Sequence, residues 1–290
     1  MKGLVFMKIK YYLFLILLLL GTLCYSASYM SSVSAILPTV ADTRTEVELP
    51  ILMYHKIVDG TSPSDEYTIS KERFESDLKW LRDKGFTTVT TRQLIDFAEK
   101  GEALPEKPVL LTFDDGYLNN YLYAFPLLAK YHMTGVFSVI GSEIENASEQ
   151  LNRNPLGQSM NSSEIKEMSD SSYAEIGSHT FNLHRISERK GADKIPGESQ
   201  ETYENLLLED LNQNNEYIEK VTGSPPLLFA WPYGAYPPDR SADKILKEAG
   251  YKLSVTSYQR MNTIQQGNPE CLFGLKRFLR TPSFDIEQIF

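Results

Sequence analysis

From about residue 49 the chain alternates short apolar runs with stretches of helical period, and no other feature limits its fold so sharply. Residues 51–57 read as an apolar strand. Ser70 caps a helix in which Phe74, Leu78 and Leu81 share a face, and Gly85 ends it. Residues 86–89 read as a strand, and Thr91 caps a helix running through Leu94, Ile95 and Phe97 to Gly101. Residues 109–113 are continuously apolar, as in a strand buried on both faces of a parallel sheet. A helix is expected over 120–131, kinked or restarted at Pro126. After it come a strand at 135–140, a long loop at 141–161 and a short helix at 162–168. Further strands read at 173–178, 227–231, 253–257 and 272–279. Between them lie a polar loop at 185–199, the longest helix at 201–221 and a helix at 242–249 ended by Gly250. A last helix begins at 284.

This alternation predicts one α/β domain of parallel strands over residues 49–290. A single distorted (β/α) barrel, closed or partly closed, fits the length. An open doubly wound sheet is the competing architecture. No internal repeat is visible.

The N-terminus reads as an export signal. Lys2, Lys8 and Lys10 precede an apolar run from Tyr11 to Cys24, and no charged residue follows until Asp42. The strongly apolar part would make roughly 21 Å of helix, short against a bilayer core of about 30 Å. Val33-Ser34-Ala35 offers a small-residue cleavage site, so residues 1–35 read as a signal peptide. The alternative is an uncleaved membrane anchor over residues 11–30. Residues 36–48, rich in Thr with no amphipathic period, read as a flexible tether. Either way the bulk of the chain faces outward, secreted or held at the cell surface. Loss of 1–35 removes three lysines and no acids, which moves the formal net charge from -9 to -12. That balance argues against nucleic acid as a partner, since phosphate contacts need clustered Lys and Arg. Cys24 and Cys271 are the two cysteines, so cleavage would leave no internal disulfide. Cys271, among Leu272, Phe273 and Leu275, reads as a buried small hydrophobe.

The chemistry is concentrated in three stretches. Thr112-Phe113-Asp114-Asp115-Gly116-Tyr117 supplies adjacent carboxylates. Ser178-His179-Thr180-Phe181-Asn182-Leu183-His184 supplies two imidazoles, and Trp231-Pro232-Tyr233-Gly234 a rigid turn. One carboxylate plus two imidazoles is a ligand set with open positions, and the spare carboxylate can act as a base. Such a set suits metal-assisted hydrolysis of an amide or ester. Each stretch alone is a weak signal. Together, each follows an expected apolar strand, and His55 falls near the end of the first one, which puts them at the end of a barrel where catalytic groups gather. Five residues turn a helix by about 500°, so His179 and His184 must come from a strand end and its turn rather than one helical face.

These stretches resemble the polysaccharide deacetylases of the nodulation-protein (NodB) homology type, carbohydrate esterase family 4. The resemblance spans about residues 49–280. It implies a distorted β/α barrel that removes N- or O-acetyl groups with a divalent metal. It implies Asp114 as catalytic base, Asp115, His179 and His184 as metal ligands, and the Tyr233 backbone N–H as an oxyanion donor. The opening Leu52-Met53-Tyr54-His55-Lys56-Ile57 looks like the biofilm-exopolysaccharide branch, whose substrate is poly-β-1,6-N-acetylglucosamine. The expected activity is therefore N-deacetylation of an acetylated extracellular polysaccharide. The alternatives are a peptidoglycan or chitooligosaccharide deacetylase, an O-acetyl esterase, or a catalytically weak carbohydrate-binding homologue. Zn2+ suits the ligand set, as do Co2+, Ni2+ or Fe2+.

The chain departs from that family at three points. No histidine follows His184 to provide the late Leu-x-His general acid, and Leu275-Lys276-Arg277 stands in its place. Ala230 stands where many members carry an Arg that pairs with the base, and the late Asp-Trp motif is missing. His55 is the candidate to replace the acid. Its plainer reading is a histidine that orients Asp114 or Asp115, or simply packs. His132 reads as a surface residue. Trp231 reads equally as cleft lining or core.

Overall fold

The computed structural model describes residues 44–60, 65–150, 153–155 and 157–290. The expected signal or anchor at 1–35, and residues 36–43 of the expected tether, lie outside the described residues. Among the described residues no helix is long and apolar enough to cross a membrane.

The first half runs β1 (Glu46–Leu49), β2 (Ile51–Tyr54), β3 (Lys56–Val58), β4 (Thr68–Ser70), α1 (Lys71–Asp83), β5 (Thr87–Thr88), α2 (Thr91–Lys100) and β6 (Pro108–Phe113). A π-helical turn (Asn120–Ala124) leads into α3 (Phe125–Tyr131), then β7 (Gly135–Val139), α4 (Gly141–Ser148), α5 (Ser162–Ser169) and β8 (Ala174–Ser178). The remainder is α6 (Gln200–Thr222), β9 (Leu228–Ala230), α7 (Asp243–Glu248), β10 (Leu253–Val255), β11 (Asn262–Gln265) and β12 (Phe278–Leu279), with short 3-10 turns between.

Local chemistry accounts for most boundaries. The Ser70 hydroxyl accepts from the Arg73 N–H and starts α1. Thr90, not Thr91, caps α2, in a reciprocal capping box with Gln93. Pro126 falls in the first turn of α3, where its missing N–H costs nothing, and the wider π turn precedes it. The strand expected over 51–57 breaks at His55. The tether expected over 36–48 instead contributes most of β1, which pairs antiparallel with β11. The strand expected over 272–279 is a 3-10 turn (Pro269–Leu272) and a short β12, and the last helix is a single 3-10 turn (Ile286–Gln288).

The main sheet is parallel throughout, in the order β10-β9-β8-β7-β6-β2-β12, with β5 beside the start of β6. Its two edges meet through the segment that contains β12. The Leu275 N–H donates to Ser254 O at 2.9 Å and the Thr256 N–H to Leu275 O at 2.7 Å, on the β10 side. The Arg280 N–H donates to Met53 O at 2.9 Å, on the β2 side. The sheet therefore closes as a distorted barrel, and the open doubly wound alternative falls.

Strand side chains alternate between faces, and this decides what enters the barrel. Val109, Leu111 and Phe113 of β6 join one apolar cluster with α1 and α3. Leu110 joins another with Ile51, Val136, Leu228, Leu253, Val255 and Leu275. At the same alternation, on these strands or just beyond their ends, stand Met53 and His55, Thr112 and Asp114, Ala230 and Ser257, with Arg277 two positions after Leu275. The same alternation carries Gly177 of β8, and His179 just past its end, inward. An apolar floor thus carries a polar rim at one end of the barrel.

Candidate metal centre and active site

Asp115, His179 and His184 converge. Nε2 of His179 lies 3.4 Å from Asp115 Oδ1, and Nε2 of His184 lies 3.3 Å from the same oxygen. The three ligand atoms all lie within 4.8 Å of one another. Ligands about 2.0–2.1 Å from a tetrahedral ion stand about 3.4 Å apart, so the spacing fits a single cation. Asp115 Oδ1 is buried without a hydrogen-bond partner, the state expected of an oxygen meant for an ion.

The backbone aims these groups. Asp115 and Gly116 both take left-handed φ, 71° and 70°, so the chain turns sharply after β6 and separates the two carboxylates. A Cβ on Gly116 would press on Val139 and Ile144 at 3.1–3.4 Å. The His179 Nδ1–H donates to the Ala230 carbonyl at 2.7 Å. A carbonyl can only accept, so this bond fixes the proton on Nδ1 and leaves the Nε2 lone pair facing Asp115. Burial pushes the His184 imidazole down to about 4, which keeps it neutral and able to ligate. Burial opposes a charge on Asp115 too, yet the surrounding His179, His55 and His184 rings hold its carboxyl below the usual range.

Asp114 has a different environment. Arg277 grips it with two parallel bonds, Nη1 to Oδ1 at 2.8 Å and Nη2 to Oδ2 at 2.7 Å. Both side chains are almost completely buried. Two more Arg277 donors are engaged, Nε with Thr256 O at 2.7 Å and the second Nη1 N–H with Thr112 Oγ1 at 3.1 Å. Burial disfavours the Asp114 anion, but the Arg277 charge and hydrogen bonds, joined by the nearby His179 and His55, together lower its pKa.

Arg277 is the site residue that sequence reasoning missed. Its stretch stands where the family carries a general acid, and Ala230 stands where the family carries an arginine. The structure puts these two facts together: the closing segment supplies the guanidinium, and Ala230 contributes its carbonyl to His179. The one available signal was a basic residue two positions after Leu275 in the segment that closes the barrel.

The other expected residues fall as follows. Tyr233 sits in a 3-10 turn (Pro232–Gly234) at a left-handed φ of 55°, its ring centroid 4.5 Å from that of His184. Gly234 permits this turn, because a Cβ there would overlap Ser257 Oγ. His55 lines the same cleft, packs edge-on against Tyr67 at 4.9 Å, and has a buried Nδ1 without a partner. Burial lowers its pKa. Trp231 is both buried core and cleft wall. His132 is exposed and bonds Tyr173 OH. Cys271 is half-buried against the apolar floor, with a free thiol. The cleft measures about 390 Å³, and its walls include Lys56, Tyr67, Tyr117 and Lys190.

A sequence profile of polysaccharide deacetylases matches residues 101–254. The chain belongs to the polysaccharide deacetylase family. Over 275 residues it is 25% identical to the poly-beta-1,6-N-acetyl-D-glucosamine N-deacetylase of Escherichia coli (strain K12), covering 85% of this chain and 40% of that one. It is 28% identical to the enzyme of the same name from Staphylococcus aureus (strain MSSA476), over 64% of this chain and 60% of that one. Against both, the chain spans less than two thirds of the relative's length. Among solved structures, IcaB from Ammonifex degensii superposes with a TM-score of 0.66 at 32% identity, covering 81% of this chain and 92% of that one. A de-N-acetylase from Aggregatibacter actinomycetemcomitans superposes with a TM-score of 0.72 at 28% identity, covering 84% and 98%. This polysaccharide deacetylase thus shares its barrel with both. Enzymes of this family use a divalent metal. His55 and Arg277 both lie outside the matched stretch.

Proposed function

We propose that this deacetylase removes N-acetyl groups from N-acetylglucosamine units of an extracellular polysaccharide of the poly-β-1,6 type. The meeting of Asp115, His179 and His184 beside the Arg277-held Asp114 in one cleft carries this reading. The names of the relatives support the choice of polymer. Work on such a polymer also suits a secreted or surface-held chain, as the N-terminal pattern expects.

Asp115, His179 and His184 are the residues that would hold the ion. Bound there, a divalent cation would supply Lewis acidity toward the acetyl carbonyl and toward a water. Zn2+ matches two imidazoles and a carboxylate, and Co2+, Ni2+ or Fe2+ can use the same donors. Asp114 is the base. Arg277 keeps it ionised, and each carboxylate oxygen retains a lone pair beyond the one Arg277 uses. Asp114 is consequently a weak base. The Tyr233 turn, beside His184, supplies the backbone N–H for the developing oxyanion.

His55 delivers the proton to the leaving amine; burial lowers its pKa, so the ring rests neutral and first collects that proton from Asp114, which takes it from the attacking water. Its unpartnered buried Nδ1 in the cleft supports this role. His55→Ala should cut turnover by about 10²–10⁴ while leaving the bound metal unchanged. Unchanged turnover would assign His55 to packing alone.

The test of the whole reading is to purify the chain, measure its bound metal, and follow acetate release. Substrates are β-1,6 and β-1,4 N-acetylglucosamine oligomers, peptidoglycan fragments and an O-acetylated sugar. The expected result is one ion per chain and release favouring β-1,6 oligomers, lost on chelation. Faster release from the O-acetylated sugar would make it an esterase. Binding of oligomers without release would make it a carbohydrate-binding homologue.

A further inference from the structure

We propose that Asp210, on the inner face of α6, is a positioning residue that sets His179 and His184 for the ion. This rests on the ligand assignment above. The two histidines come from one loop, and that loop needs an external hold. Thr180, the residue between His179 and Phe181, takes a left-handed φ of 73°, a strained backbone for a β-branched residue. Asp210 is buried and spends both oxygens on the loop. Its Oδ1 accepts the Phe181 N–H and its Oδ2 the Asn182 N–H, each at 2.8 Å. One helical turn on, Asn214 donates to Ser178 Oγ at 2.7 Å and to Val139 O at 3.2 Å, fixing the strand end from which the loop departs. The loop's carbonyls are taken by α4: the Gly141 N–H donates to Thr180 O and the Ser142 N–H to Phe181 O.

Asp210 touches neither imidazole, yet it binds two successive N–H groups between them with charge-assisted bonds. A carboxylate there offers one oxygen to each donor, and an amide offers an oxygen to only one. Loss of the second bond frees the segment between the two ligands and spoils their common focus. Supporting groups of this kind change metal affinity by about 10–100-fold when altered.

The experiment titrates the full chain with Co2+ against a chromophoric chelator and records the cobalt absorption bands. Asp210→Asn should bind Co2+ at least about tenfold more weakly, with altered bands. Glu175→Gln is the control. Glu175 accepts the Thr91 N–H at 2.8 Å at the start of β8, the same strand that ends at Ser178. It should keep wild-type affinity and bands even if it lowers the melting temperature. If Asp210→Asn does not fold, Asp210→Glu keeps the charge, moves it by one methylene, and reads the same quantity. A folded Asp210 variant with wild-type cobalt affinity and bands would overturn the proposal. Failure of the wild-type chain to bind Co2+ would instead overturn the ligand assignment itself.

Discussion

Replacing Arg277 with Met should cost both turnover and stability. Arg277 and Asp114 are each almost completely buried and joined by two bonds of 2.7 and 2.8 Å. Removing one partner of such a pair strands the other charge, at about 3–5 kcal/mol. Without that charge, burial favours the protonated form of Asp114, which cannot act as a base, so turnover should fall by about 10²–10⁴. Arg277→Lys keeps a charge but loses the planar fork, and should fall between. The double variant Arg277→Met with Asp114→Asn removes both charges and should be more stable than Arg277→Met alone. Denaturant titration and acetate release measure these quantities. A single Arg277→Met variant with wild-type stability and turnover would contradict the whole account of the base.

The second large effect separates the two adjacent aspartates. Asp114→Asn should retain the bound ion, because Asp114 is not among the three convergent ligands. Its turnover should still fall by about 10²–10⁴. Asp115→Asn or His179→Ala should lose the ion on desalting, and turnover with it. Elemental analysis beside kinetics makes the distinction. If Asp114→Asn sheds the ion as completely as Asp115→Asn, the roles given to the two carboxylates are wrong.

Much of this architecture was readable from local pattern because local chemistry made it. The wholly apolar run in β6, the Ser70 cap and the Gly101 stop are decided within a few residues. Asp114, Asp115, His179, His184 and Tyr233 could be placed at one barrel end because each follows such a strand. Helix α4 was hidden for a different reason. Ile140 at its N-cap makes no side-chain cap, and its first N–H groups bond Thr180 and Phe181, some forty residues away along the chain. A helix whose start is satisfied by tertiary contacts leaves no local signature. The same holds for β1, whose partner β11 comes from the far end of the sequence. Arg277 was hidden because a two-residue strand carries too little alternation to reveal its face. Its role depends on a partner more than a hundred and sixty positions earlier.

The short strand that closes the barrel is flanked by two guanidiniums, and each answers a buried carboxylate laid down far earlier in the chain. Arg277 meets Asp114, and Arg280 meets Asp77 of α1 at 2.7 and 2.8 Å. Until that strand docks, both acids stand as lone charges at an open seam. Competence therefore waits on that segment: the ligands and the base all precede it in the chain, yet the base has no cation beside it until Arg277 arrives.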